Sequence, residues 1–331
     1  MPGEFTPGSI FGVARNFMES RLLLTGVDLN LFSLLAPKPL PAEEVSSSLK
    51  ADLRAVTMLL NALSALGYLV KKDNRYQTEP SIAPLLSEGE PESILPGLQH
   101  SAHLWRTWSQ LTEVVRHGEP AKRLESWDDK DRMKAFIGAM HVGAGASAAA
   151  PEIIQAISPG QAKALIDVGG GSGTYTIAFL QAAPDMKATI FDLPPVIEMA
   201  RERITDAGLL DRVNLIPGDF YKDELPAGHD LALLSAIIHQ NSHEQNLMLY
   251  KRVFKALDSG GRIVIRDHVM EPDRTRPLSG AIFAINMLVN TPGGGTYTFE
   301  EIEQGLTEAG FTRVKALQAR GMFSLVEAFK P

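Results

Sequence analysis

At 331 residues the chain is longer than one ordinary core organises, so two domains, or one domain with a large extension, are expected. A formal net charge of -7 argues against a surface built to neutralise phosphates, and 44% hydrophobic residues without any long apolar run describe a globular protein with no membrane span. The absence of cysteine removes disulfides, thiolate catalysis and cysteine-ligated metal centres. No basic stretch leads into an apolar run at the amino terminus, so a cytoplasmic location is expected.

The first hundred residues read as helices with one strand pair. Ile10, Val13, Ala14 and Phe17 fall at helical spacing, and Gly26-Val27-Asp28 reads as a break. Pro41-Ala42-Glu43-Glu44 opens a short helix. Asp52 to Leu66 forms a longer one, with Val56, Leu59, Leu60, Leu63 and Leu66 on one face and Gly67 as its stop. Tyr68-Leu69-Val70 and Arg75-Tyr76-Gln77-Thr78, joined by Lys71-Lys72-Asp73-Asn74, read as a hairpin. Helix, turn, helix, hairpin is the order of a winged helix. Its would-be recognition helix, Ala51 to Leu66, carries only Asp52 and Arg54 as charged residues. A helix entering a DNA groove presents several basic or amide side chains, so this one reads as packing surface, with a winged-helix regulator that senses its ligand as the less favoured alternative.

From about Leu95 to Ile157 the pattern is helical again, with Leu104, Trp105, Trp108 and Leu111 on one stripe. It ends in a run of small residues from Gly143 to Ala150, and a domain boundary is expected near Ser158. The expected division is therefore 1–100 winged-helix-like, 101–158 a helical linker, and 159–331 a ligand-binding domain. From Lys163 onward short apolar runs alternate with helical stretches: Ala164–Val168, Ala188–Asp192, Val213–Ile216, Leu231–Leu234 and Gly261–Ile265. That alternation predicts an α/β fold with a mostly parallel, doubly wound, Rossmann-like sheet whose ligands bind at the carboxyl ends of the strands.

The first of these strands runs into Asp167-Val168-Gly169-Gly170-Gly171-Ser172-Gly173. A dinucleotide fingerprint, G-x-G-x-x-G, fails here, because its last position falls on Thr174 or Thr176; no G-K-[ST] follows either. What remains is an acid, one residue and then G-x-G-x-G. This suits a cationic adenosine ligand without phosphate, S-adenosylmethionine, approached closely by backbone at Gly169 and Gly171. The second strand ends in Asp192, placed to accept from ribose hydroxyls. The third runs into Gly218-Asp219-Phe220, a carboxylate for the adenine amino group and a ring for its face. One acid at a strand tip is often a helix cap; acids on three successive strands point to a site.

These three motifs resemble those of the caffeic-acid-type and hydroxyindole-type small-molecule O-methyltransferases and their bacterial relatives. The resemblance extends over nearly the whole chain and implies a class I methyltransferase domain, S-adenosylhomocysteine as product, no metal, and an amino-terminal domain that forms a homodimer. Nucleic acid and membrane are not expected partners. In that family the fourth strand leads to a catalytic histidine, which His239 matches; Ser235 matches a cofactor-contacting position and Asp267 an acid beside the base. His243, beside Glu244 at the start of the next helix, is the competitor for the base. Met140, His141, Met287 and Asn290 match positions lining the acceptor pocket, to which the 101–158 segment would contribute. Trp105 and Trp108 read equally as core.

Two departures stand out. Gln240-Asn241 replaces the usual Asp-Trp after the histidine, and Thr296 stands where plant enzymes have a second acid. The expected reaction is in-line displacement at a sulfonium methyl, which asks mainly for alignment of acceptor and methyl. A phenol with a pKa of about 10 needs to lose its proton, and a histidine near about 6.5 can accept it. Transfer to sulfur, nitrogen or carbon on the same fold is the alternative reading, since a thiol needs less help from a base. Different chemistry on the same cofactor, such as hydroxylation or decarboxylation, is a more distant one.

Overall fold

A computed structural model of the chain describes residues 5–120, 146–320 and 323–331. Met140 and His141 lie outside the described residues. The described residues fall into two compact units, 5–106 on one side and 107–120, 146–320 and 323–331 on the other.

In the first unit, helices α1 (Pro7–Arg15), α2 (Phe17–Asp28) and α3 (Leu31–Leu35) precede strand β1 (Leu40–Pro41), α4 (Ala42–Leu49), α5 (Leu53–Ala65) and the hairpin of β2 (Leu69–Lys72) and β3 (Arg75–Thr78). The three strands pair in the order β1-β3-β2, all antiparallel, which is the winged-helix arrangement. The Asp52 side chain accepts from the Ala55 N–H and starts α5. Val56, Leu60 and Leu63 on its inner face pack with Val27, Leu31, Phe32 and Leu35. The hairpin turn is tighter than the sequence predicts. Asp73 and Asn74 alone make it, at φ 48° and 57°, so Lys71 and Lys72 belong to the strand. Gly26 is no break either: α2 runs through it to Asp28, and a Cβ there would lie 2.8 Å from the Phe32 ring. This glycine serves close packing.

The second unit is built on a seven-stranded sheet of β4 (Ala164–Val168), β5 (Lys187–Asp192), β6 (Val213–Pro217), β7 (His229–Ser235), β8 (Leu257–Asp267), β11 (Thr312–Arg320) and β12 (Phe323–Phe329). A separate short parallel pair joins β9 (Val269–Met270) and β10 (Tyr297–Thr298). The large sheet has the order β11-β12-β8-β7-β4-β5-β6; β12 runs antiparallel to both neighbours and the other pairs are parallel. Alternate residues of the strands feed two apolar layers. Ile166, Val168, Leu234 and Ile265 pack on one face with Leu249, Val253 and Leu306. Leu165, Leu231, Leu233 and Val264 pack on the other with Phe179, Leu180, Ile197 and Ile204. Burying each such side chain contributes about 1.5–3 kcal/mol. The strand pair β11 and β12 is absent from the sequence expectation, because no helix separates its members and the strand–helix rhythm ends before it.

Strand order reverses between β4 and β7, and the loops after β4, β5, β6, β7 and β8 all leave the same edge of the sheet. A crevice outside the carboxyl ends at such a reversal is where open α/β sheets bind ligands.

Candidate active site

The loop after β4 owes its glycines first to the protein's own packing. Gly169 has φ 70°, and a Cβ there would collide with Ile237; a Cβ on Gly170 would lie 2.9 Å from the Asp167 carboxyl carbon. Gly171, at φ 57°, is different: a Cβ would meet nothing within 4 Å. Open space above Gly171 fits a ligand that approaches the backbone there. The Asp192 carboxylate reaches across from the tip of β5 and accepts from the N–H of Gly171 at 2.8 Å and of Leu193 at 2.7 Å. Each oxygen keeps a lone pair for a further donor such as a ribose hydroxyl. Burial pushes the Asp192 carboxyl up to about 6, against the two N–H groups that pull it down.

Asp167 is 1% exposed and accepts from the Thr176 hydroxyl at 2.7 Å. Burial raises its pKa to about 7, Thr176 opposes, and the charge of Asp192 adds to the rise. It therefore ties the strand to the following helix, Thr174–Ala182, beneath the loop. Thr176, a partner that sequence reasoning missed, carries no signal beyond its place three residues past the glycine run.

After β6, Phe220 presents its ring 3.7 Å from where a Gly169 Cβ would stand, beside the loop. Asp219 is turned into its own bend. It accepts from the Tyr221 N–H at 2.9 Å and pairs with Lys222 at 2.9 Å. Slight burial would raise its pKa, but Lys222 and the Tyr221 N–H hold the carboxyl below its usual range. A ligand amine at Asp219 would share the carboxylate with Lys222.

At the tip of β7 Ser235 accepts from Arg266 Nη1 at 3.3 Å. The next residue, Ala236, sits at φ 59°, a conformation that costs an L-residue about 1–2 kcal/mol. That sharp bend leads into a short helical turn, Ile238–Gln240, carrying His239. His239 Nδ1 lies 2.8 Å from Asp267 Oδ1, with side-chain exposures of 13% and 0%. Burial alone would raise the Asp267 pKa. The His239 charge and hydrogen bond and the His268 N–H, at 2.7 Å, hold it below the usual carboxylate range. An ionised carboxylate only accepts, so Nδ1 carries the imidazole proton and Nε2 presents the lone pair.

The departures around His239 have structural consequences. Asn241 is 0% exposed and donates to Asn246 at 2.9 Å; the hydroxyls of Tyr221 and Tyr297 hydrogen-bond to its side-chain and backbone oxygens. Asn246 in turn donates to the Ile238 carbonyl at 3.0 Å, so this network braces the turn holding the base. The Gly295 N–H donates to the His239 carbonyl at 2.8 Å, which brings the glycine-rich loop 293–295 against the same turn. Thr296 is buried, and its carbonyl accepts from Arg274 at 2.9 Å; no second acid flanks His239 among the described residues. His243 is 63% exposed in its side chain and pairs with Glu301 at 3.6 Å.

On the helix Leu278–Asn290, Phe283, Met287 and Asn290 follow one another at helical spacing. Phe283 sets its ring edge-to-face with His239 at 4.8 Å, and it is a site residue the sequence reading overlooked although that spacing marks it. Met287 is buried. Asn290 donates to the Asn286 carbonyl at 2.8 Å, and Asn286 accepts from Trp108 Nε1 at 2.9 Å. Trp105 packs in the first unit, near Phe17 at 6.2 Å.

Comparison with known proteins adds a family context. A family profile described as an O-methyltransferase domain matches residues 108–312, and one described as an O-methyltransferase dimerisation domain matches residues 11–86. The tetracenomycin polyketide synthesis 8-O-methyl transferase TcmO of Streptomyces glaucescens is 31% identical, covering 98% of this chain and 97% of its own. The 3-hydroxy-5-methyl-1-naphthoate 3-O-methyltransferase of Streptomyces sahachiroi is 30% identical over 96% of this chain and 93% of its own. Among solved structures, PigF with SAH superposes at a TM-score of 0.86 with 25% identity, covering 98% of this chain and all of the other.

Proposed function

The chain belongs to the O-methyltransferase family and is an S-adenosylmethionine-dependent methyltransferase; from that premise we propose that it methylates a hydroxyl of a small aromatic molecule with His239 as general base. The observation that carries this reading is the buried His239–Asp267 pair at 2.8 Å, on the same edge of the sheet as the glycine loop. When bound, S-adenosylmethionine supplies an electrophilic methyl on a sulfonium. Gly169 and Gly171, with Asp167 beneath them, form the floor of its site. Asp192 is assigned to the ribose, Phe220 to the adenine face, and Asp219 and Ser235 to further polar contacts.

Asp267 orients the imidazole and stabilises the cation that His239 becomes on taking the acceptor's proton at Nε2. Among the described residues Asp267 is the acid paired with His239, and the imidazolium draws on it. Met287 and Asn290, with Met140 and His141, are assigned to the acceptor side. The acceptor class draws support from the named relatives, one an 8-O-methyl transferase of tetracenomycin polyketide synthesis and the other a 3-hydroxy-5-methyl-1-naphthoate 3-O-methyltransferase. We assign the homodimer to the amino-terminal unit, whose α1 buries no side chain and exposes Ile10, Phe11 and Val13.

The test is a labelled-methyl screen of phenols, thiols and amines with wild type and His239→Ala. Transfer to phenols should fall about 100-fold or more in the variant, in line with loss of a general base, while cofactor affinity holds. Unchanged phenol turnover would defeat the base assignment. Transfer confined to thiols or amines would defeat the hydroxyl reading.

A further inference from the structure

The loop that carries Phe220 and the turn that carries His239 are connected through side chains, and the chemistry assigned to His239 and Asp267 does not use the connection. It starts at Tyr221, whose ring lies against Phe220 with centroids 4.6 Å apart at 52°. The Tyr221 hydroxyl donates to the Asn241 side-chain oxygen. Asn241 Nδ2 donates to Asn246 Oδ1 at 2.9 Å, and Asn246 Nδ2 donates to the Ile238 carbonyl at 3.0 Å. Three hydrogen bonds therefore run in one direction, from the loop after β6 to the residue before His239. Donors and acceptors aligned in this way strengthen one another, and a buried amide that loses its partner stays unpaired.

The members of this chain differ in exposure. Asn241, Asn246 and Ile238 are buried, whereas Tyr221 is 37% exposed and is the member that a ligand over the Phe220 ring can move. Burial, with the Asp219 charge adding, pushes the Tyr221 pKa up to about 12, so the hydroxyl keeps its proton at any working pH. Helix His243–Ala256 holds the rest in place: it carries Asn246, and its Arg252 donates to the Phe220 carbonyl. Leu249, Tyr250 and Val253 anchor that helix in the core. A phenylalanine at 221 would pack on Phe220 equally well, so packing gives no reason for the hydroxyl.

We propose that Tyr221 is a positioning residue for the base: an adenine seated on Phe220 fixes its ring, and the hydroxyl passes that constraint through Asn241 and Asn246 to the turn that holds His239. This rests on the assignments of Phe220 to the adenine and of His239 as the base. Filling the cofactor site then firms the base turn, a coupling carried by contacts that both sites bias.

The test follows the ring nitrogens of His239 by NMR in the full chain with isotope-labelled histidine. The titrant is adenosine, which carries adenine and ribose without the methionine arm. In wild type, saturation should shift and sharpen the His239 signals. Tyr221→Phe keeps the ring, so it should bind adenosine within about threefold of wild type while the His239 response falls to about a third or less. Tyr297→Phe removes a hydroxyl that reaches the Asn241 backbone oxygen from outside the adenine loop, and it should keep the response. In turnover, Tyr221→Phe should lose about tenfold in kcat with KM for S-adenosylmethionine changed less than about threefold. A silent His239 in saturated wild type, an undiminished response in Tyr221→Phe, or an equal loss in Tyr297→Phe would overturn the proposal. The parent assignments fail separately and take the proposal with them. Adenosine affinity unchanged in Phe220→Ala defeats the adenine assignment, and phenol turnover unchanged in His239→Ala defeats the base.

Discussion

Asp192 accepts from the Gly171 N–H of the glycine loop, and in its proposed role toward the ribose its protonation state would govern binding there. With its carboxyl pushed up to about 6 by burial, it is mostly ionised at pH 7 and mostly protonated at pH 5. The ionised form accepts hydroxyl donors and suits a cationic ligand; the protonated form does neither well. Affinity for S-adenosylmethionine should fall about tenfold as the pH drops from 7 to 5, the ratio of ionised fractions for one such group. Asp167, raised to about 7, acts in the same direction and steepens the fall. Calorimetry across this range should show the loss in wild type and a flatter, weaker profile in Asp192→Asn. A pH-independent wild-type affinity would contradict the assignment. Asp219 should contribute nothing to this profile, because Lys222 and the Tyr221 N–H keep it ionised throughout.

Two glycines of the loop after β4 look alike in sequence and differ in structure. Both have positive φ, so alanine at either costs about 1–2 kcal/mol in backbone conformation. At Gly169 the new methyl also meets Ile237, which is packed into the core beside the base-bearing turn; at Gly171 it meets open space. Gly169→Ala should therefore lower the melting temperature of the ligand-free chain more than Gly171→Ala. Gly171→Ala should still weaken cofactor binding, since its methyl enters the space above the loop. Equal melting temperatures would mean that Ile237 yields without cost. The same logic explains why the turn after β7 tolerates a strained Ala236: the bend seats Ile237 against the loop and His239 against Asp267.

At the scale of the molecule, the amino-terminal unit carries an unpaid surface. Helix α1 is nine residues long with no buried side chain, and a helix this short is marginal in water without packing. Phe11 is 62% exposed and Val13 75%, and Phe17 and Met18 continue the apolar surface on α2. The second copy proposed for the amino-terminal unit would cover this face, a reading that the dimerisation-domain match over residues 11–86 supports. Phe11→Asp should shift the protein from dimer to monomer in light scattering at micromolar concentration. A dimer unaffected by the change would place the interface elsewhere.

Local pattern determined much of this protein. Strand and helix periods, the failed dinucleotide spacing and the acids at strand tips are written in short stretches of chain, because period and backbone conformation depend on near neighbours. The doubly wound sheet, the winged-helix order and the glycine-rich turn after β4 were legible for that reason. Tertiary structure alone decided which side chains meet. It turned Asp219 toward Lys222, set Asp167 on Thr176, made Asn241 the hub of a brace, and added the pair β11 and β12. It also brought Phe283 and His268 beside His239, with Phe323 against His268. Such contacts join residues far apart in the chain, and their choice follows from packing and hydrogen-bond satisfaction across the whole core, which no local pattern encodes.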